Sequence, residues 1–416
     1  MFTLLFIAFL IADVVLRLWL GLRQIRHVHQ HRNQVPAAFA DRISLRSHQR
    51  AADYTHGKVQ VGIFETIVEA GVLIGLTMLG GLQALDLYMG RQFDNEMWRQ
   101  LALIGSVVLI MGLVSVPFSL WRKFRLEARF GFNRMSFGLF VGDTLKGLVV
   151  AILLGLPLTA GVLWIMGHAG ANWQWWAWGV WVAFNLLVLW LFPTVIAPLF
   201  NRFTPLDNPE LAQRIQALAT RCGFAIKGLF VMDGSKRSAH GNAYFTGFGR
   251  SRRIVFYDTL LSRLNADEVE AVLAHELGHF HHRHILKRMV LSFIMALVFL
   301  QVLAWLSHQV WFYTELGVIP QLGRPNDALA LILFFLVVPV FTFWVTPVMN
   351  LLSRKDEYQA DQFAATQASS AALVAALVKL YDDNAATLTP DPMHSAFHDS
   401  HPPATLRVER LVLHGR

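Results

Sequence analysis

Apolar positions in this chain run in long unbroken stretches, not in the alternating or three-to-four-residue stripes of a water-soluble fold. Seven such stretches approach or exceed the ~20 residues a spanning helix needs. They cover residues 2–22, 61–85, 101–120, 145–166, 175–200, 285–312 and 328–352. The first has no basic residue directly after Met1, is too long for a secretion signal, and has no small-residue cleavage site behind it. It is therefore read as a span. The pattern predicts an all-α, seven-span integral membrane protein.

Between the stretches, basic residues alternate by side. Arg23, Arg26, Arg32, Arg42, Arg46, Arg50 and Lys58 follow the first span. Arg122, Lys123, Arg125, Arg129 and Arg134 follow the third, and Arg202, Arg214, Arg221, Lys227, Lys236 and Arg237 open the long segment after the fifth. The remaining connections hold only Arg91 and Arg99, then none, then Arg324. By the positive-inside rule the N-terminus faces outward, with residues 201–284 and the C-terminus in the cytoplasm. In a bacterium this would be the inner membrane. The alternation also supports a count of seven. The tract from His27 to His31 reads as a solvated basic loop.

Composition agrees. Of 416 residues 55% are hydrophobic and 15% charged, against about 25% charged in ordinary soluble domains. The net charge of +8 is accounted for by span orientation, so no nucleic-acid partner is expected; membrane lipid is. The single cysteine, Cys222, excludes an intramolecular disulfide and a cysteine-cluster metal site, and reads as packing. Some polar groups lie inside spans: Asp13 with Arg17, and Glu65 with Glu69, each pair one helical turn apart. Such groups are costly in lipid. They line a watery interior, or else sit near the interface or pair with basic neighbours.

The chemistry is concentrated at residues 266–284. Asn265 and Glu268 form a helix-start pair, and Val269, Val272, Leu273 and Leu277 form the apolar stripe. His275 and His279 stand one turn apart on one face, the spacing that lets two imidazoles share a Zn²⁺. Glu276, beside a ligand, is placed to act as general base on a water. Gly278 costs about 1 kcal/mol relative to Ala inside a helix, so a close neighbour is expected there. His281, His282 and His284 read as an interfacial or solvated cluster. A catalytic zinc needs a third protein ligand. Glu357 can supply it, and Asp361, one turn on, can accept a hydrogen bond from a ligand imidazole or take part in proton transfer.

Taken jointly, these residues resemble the type I CAAX prenyl protease family, membrane zinc endopeptidases of the a-factor-converting type. The resemblance is carried by His275-Glu276-Leu277-Gly278-His279, by Glu357-Tyr358-Gln359-Ala360-Asp361, by the run from Lys236 to Phe245, by His401-Pro402-Pro403 and by Gly131-Phe132-Asn133-Arg134. Gly241 departs from it, standing where members often have Ser. The resemblance implies seven helices around an intramembrane chamber, capped by a helical gluzincin-type zinc-peptidase domain. It implies one zinc per chain on His275, His279 and Glu357, with Glu276 as base and Asp361 as the residue often assigned as proton donor. His401 and Arg407 would stabilise the transition state or hold the site together. Asn242, Ala243 and Tyr244 would lie on a substrate-binding edge strand. The stretches 242–248 and 253–257 read as a small β-hairpin around residues 249–252, and an edge strand can hold an extended peptide by backbone bonds.

The expected division is 1–200 for spans one to five, 201–284 for the zinc domain, 285–352 for spans six and seven, and 353–416 for the third-ligand helix and C-terminal segment. The expected substrate is a peptide or protein, lipidated or otherwise membrane-associated. A broader membrane quality-control peptidase usually has about four spans and lacks the His-Pro-Pro feature. A non-catalytic metal-binding channel or transporter has no need of a base beside its ligand.

Overall fold

A computed structural model of the chain describes residues 1–246 and 253–414. Among them, seven helices are long and apolar enough to cross a membrane: Phe2–His31, Leu45–Leu76, Glu96–Glu127, Phe137–His168, Gly170–Phe200, His284–Ser307 and Asp327–Gln367. They are numbered here as spans one to seven. Six of them outrun their apolar stretches, because helical backbone bonding continues past the lipid wherever the sequence does not break it. The tract from His27 to His31 is thus the last turn of span one, not a loop. Span two begins at Leu45, well before its apolar stretch, and stops at Leu76. Gly80, at φ 76, makes the reversal there, and the short helix Gly81–Gln92 follows.

Two large hydrophobic cores, with a small third one around Tyr54 and Phe132, organise the described residues. In the first, the front of span seven is the hub: Leu329, Leu331, Leu333 and Val337 pack with Phe6, Leu103, Leu163 and Leu303 from four other spans. Elsewhere the spans expose large apolar side chains, such as Leu109, Leu153 and Leu187, as helices do that meet lipid outside and a hollow inside. Asp13 pairs with Arg17 at 2.9 Å, and Glu65 with Arg122. Glu65, Glu69, Arg17 and Lys58 also line one cavity of about 690 Å³. For Glu65, pairing and a polar interior therefore hold together.

The second core lies in the peptidase part. The motif helix Ala266–His281 contributes Val269, Leu273 and Leu277, which pack with Ile215 and Leu218 of the helix Pro209–Arg221, with Leu373 and Leu377 of Ser370–Asp383, and with Val408 and Leu411 of the C-terminal helix. The sheet there has four strands: β1 Phe203–Pro205, β2 Gly228–Met232, β3 Ala243–Thr246 and β4 Arg253–Tyr257. Their spatial order is β1-β2-β4-β3. β3 and β4 are antiparallel, as the expected hairpin requires, and β2 runs parallel to β4. The expected turn at residues 249–252, with residues 247 and 248, lies outside the described residues. β1 and β2 turn the expected hairpin into a mixed sheet. They are too short, three and five residues, to leave a periodic signal.

Candidate active site

The motif helix opens with a reciprocal capping box between Asn265 and Glu268, which satisfies two otherwise orphaned amides. Lys379 holds the Glu268 carboxylate at 2.8 Å. The helix then packs along the last helical segment of span seven, Thr346–Gln367. Gly278 marks where the two approach. A Cβ there would stand 2.9 Å from Ala360 Cα and 3.1 Å from Ala360 O, both backbone atoms that cannot rotate away. This close neighbour is the reason for a glycine within the helix. Gly278→Val is expected to cost about 1–3 kcal/mol and to weaken metal binding by displacing Ala360 and with it Glu357. Thermal melting with and without added zinc checks both effects, and an unchanged melting temperature would refute the close-approach argument.

That approach brings together His275, His279 and Glu357, whose ligand atoms all lie within 4.8 Å of one another. The two Nε2 atoms are 3.3 Å apart. Glu357 Oε2 is 3.5 Å from His275 Nε2, and Oε1 is 3.4 Å from His279 Nε2. Ligands at about 2.0–2.2 Å around a tetrahedral zinc are separated by roughly 3.3–3.5 Å. The two imidazole nitrogens match that figure, and each is approached by a different oxygen of the Glu357 carboxylate. Among the described residues Glu357 Oε2 is also buried without a hydrogen-bond partner, as a group reserved for a cation would be. The residues fit a zinc ion with one coordination position left open.

Each ligand is braced. Asp361 Oδ1 is 2.8 Å from His275 Nδ1. Arg407 in turn donates to both Asp361 oxygens, at 2.8 and 2.6 Å. Asp361 and Arg407 are both buried. Asp361 is therefore fully engaged by His275 and Arg407, and its geometry is that of a group orienting an imidazole. His401 Nε2 lies 3.5 Å from Glu357 Oε1. Its side chain is 62% exposed and lines the same cavity as Glu65 and Lys58. The cavity thus reaches from the membrane interior to the edge of the ligand set.

The electrostatics point the same way. Burial works to lower the His275 pKa, but the adjacent carboxylates of Asp361 and Glu357 outweigh it and hold the ring up to about 9. The site asks for positive charge beside two buried carboxylates, which a divalent cation supplies equally well. Burial pushes His279 down to about 4, which keeps it a neutral ligand. Burial also raises Glu276, against the opposing effect of His275, which favours a base working near neutral pH.

β3 lies at the edge of the sheet. Phe245 packs on Phe280 of the motif helix with ring centroids 5.0 Å apart, so the strand runs beside the helix that carries His275 and His279. Asn242 precedes it, its carbonyl accepting from Tyr257 N at 2.9 Å, and Ala243 and Tyr244 pair with Phe256 and Val255.

Several structural residues escaped sequence reasoning. Arg237 is bound to Asp143 at 2.8 Å and to Asn201 at 2.8 Å. The loop at Phe132 to Arg134 adds backbone bonds to Arg237 and Ala239. Together they tie the membrane helices to the segment leading into β3. A cation in one quoted motif and an acid in an apolar helix gave no sign of being partners. His284, expected in an interfacial or solvated cluster, is 1% exposed and hydrogen-bonded to His279; the turn before it folds it inward.

The fold and this cluster define a multi-pass membrane metallopeptidase. Residues 24–202 match the CAAX prenyl protease N-terminal family, described as five membrane helices, and residues 205–413 match Peptidase family M48. The chain belongs to the M48 peptidases of the CAAX prenyl protease type and is a metalloendopeptidase. It is 36% identical to a CAAX prenyl protease 1 homolog of Oryza sativa over 86% of this chain and 83% of that one. It is 30% identical to CAAX prenyl protease 1 of Saccharomyces cerevisiae over 97% of this chain and 93% of that one. Among solved structures, S. mikatae Ste24p superposes with a TM-score of 0.91 at 29% identity, covering 99% of each chain.

Proposed function

We propose that this metalloendopeptidase holds one zinc ion on His275, His279 and Glu357 and cleaves CAAX-type protein C-termini, lipidated or otherwise membrane-associated. The observation that carries the metal reading is the convergence of His275, His279 and Glu357, whose ligand atoms lie within 4.8 Å of one another with the two Nε2 atoms 3.3 Å apart. When bound, zinc polarises the scissile carbonyl and makes a water acidic enough to be deprotonated near neutral pH.

The chain's own residues do the rest. The carboxylate of Glu276 takes the proton of the attacking water and returns it to the amide nitrogen of the departing peptide. Asp361 fixes the His275 ring through Nδ1, and Arg407 fixes Asp361. His401, next to Glu357 and facing the cavity, is placed to donate from Nε2 to the developing oxyanion. The free edge of β3, with Asn242 at its start and Ala243 and Tyr244 following, aligns an extended substrate by backbone bonds. The positive-inside pattern supports a cytoplasmic peptidase part and C-terminus, with the cavity opening into the membrane from that side.

The family names of the relatives support the substrate class. Backbone recognition by an edge strand tolerates varied side chains, which favours a second reading as a broader peptidase of membrane-associated proteins. The purified protein in lipid vesicles should be given prenylated and unprenylated peptides ending in a CAAX sequence, together with a misfolded membrane-protein fragment. Products are read by mass spectrometry. Cleavage within the CAAX segment is expected; cleavage of the fragment alone would replace the first reading by the second. Glu357→Ala is expected to lose most bound zinc. Parent-level metal content in that variant would remove Glu357 from the ligand set.

A further inference from the structure

His275 is oriented by Asp361, but among the described residues no carboxylate reaches Nδ1 of the His279 imidazole. What stands there is His284, with its Nδ1 3.0 Å from His279 Nδ1. On its far side, His284 Nε2 is 2.9 Å from Gln359 Oε1 and 3.5 Å from Asp356 Oδ1. Asp356 is in turn held by Arg288 at 2.9 Å. Both rings and the glutamine therefore form one chain running away from the metal-binding atoms.

The proton positions in that chain follow from the acceptors at its end. The Gln359 amide oxygen and the Asp356 carboxylate accept and do not donate, so the neutral His284 ring carries its proton on Nε2. Its Nδ1 is then a lone pair, and the proton between the two rings belongs to His279 Nδ1. A neutral His279 with its proton on Nδ1 has a bare Nε2, the atom 3.3 Å from His275 Nε2 and 3.4 Å from Glu357 Oε1. We propose that His284 is a positioning residue for metal binding, one that selects the tautomer of His279 with its Nε2 lone pair facing the ion, as Asp361 does for His275. The inference rests on the zinc reading above.

The backbone is shaped to deliver this ring. The motif helix ends at His281 and span six starts at His284. Between them Arg283 adopts φ 56, a left-handed conformation that residues other than glycine rarely take. That turn folds His284 back toward His279 and buries it to 1% exposure. An imidazole buried there without its partner would leave polar atoms unsatisfied. The arrangement thus puts a carboxylate directly behind one histidine and, behind the other, an imidazole that is itself backed by Gln359 and Asp356.

The test is zinc affinity of the full chain in detergent or lipid discs, measured by competition with a chromophoric chelator. His284→Leu is expected to weaken binding by about 10- to 100-fold, the range seen when groups behind metal-binding histidines are removed. His284→Asn, whose side-chain oxygen can accept near the place of Nδ1, is expected to recover most of that loss. Parent affinity in His284→Leu, or equal loss in both variants, overturns the proposal. If His284→Leu does not fold, the double variant Asp356→Ala with Gln359→Leu carries the test, because it keeps the ring and removes its acceptors. Weakened zinc binding there supports the proposal, and parent affinity overturns it. Glu357→Ala is the reference. If it binds zinc like the parent, the ligand set itself falls and this proposal with it; if it loses zinc while His284→Leu does not, only the role of His284 falls.

Discussion

Glu276→Gln is expected to keep its zinc and lose roughly 10²- to 10⁴-fold in peptide cleavage, the usual worth of a positioned acid–base group. The substitution is nearly isosteric, so the packing of a half-buried residue on the motif helix survives. Glu276 contributes none of the three clustered ligand atoms, so metal content has no reason to change. The amide cannot take the proton of the attacking water, and the reaction loses its base. Burial already raises the pKa of Glu276, bringing its proton affinity closer to that of a working base near neutral pH. Metal analysis alongside turnover of a fluorogenic peptide separates the outcomes. A variant that cleaves at the parent rate assigns the base elsewhere, and one that loses zinc and activity together makes Glu276 structural.

Arg407→Leu is expected to damage both stability and metal binding. Arg407 is 6% exposed and makes two hydrogen bonds to Asp361. Removing one partner of a buried ion pair leaves the other charged without compensation, typically a loss of 3–5 kcal/mol. Asp361 is left holding only His275, and Glu357 loses a cation 3.9 Å away. The His275 ring should then be held less firmly, lowering zinc affinity as well as the melting temperature. Arg407→Lys keeps a charge but not the two-pronged geometry, so an intermediate loss is expected. A leucine variant that melts with the parent would show that Asp361 needs no partner.

Much of this was legible in the sequence because the forces concerned are local or strongly patterned. Seven apolar runs give seven spans, since each must satisfy its own backbone in lipid. His275 and His279 need only helical spacing, and Glu357 and Asp361 repeat it on a second helix. The capping box at Asn265 and the tight contact at Gly278 follow from rules for single helices. What escaped depends on pairing across long separations. Arg237 meets Asp143, and His284 meets Gln359, through tertiary placement that no periodicity records. His284 was hidden for a further reason: a histidine-rich stretch just before a span looks like an interface, and only the left-handed turn at Arg283 folds one ring inward. The polar ends of spans one and two were read as loops because polarity, and not backbone bonding, was the visible signal.

The three clustered side chains lie on the two sides of the last membrane hairpin: His275 and His279 before span six, Glu357 in the helical segment Thr346–Gln367 that ends span seven. In this arrangement the third ligand meets the other two only once the intervening chain has crossed the bilayer and come back. The order of biogenesis is thereby written into the site. A chain not yet synthesised past span seven has the two histidines without Glu357, and one whose last hairpin has failed to insert does not bring Glu357 beside them. Assembly of the three-residue cluster is in this way tied to completion of the final membrane hairpin.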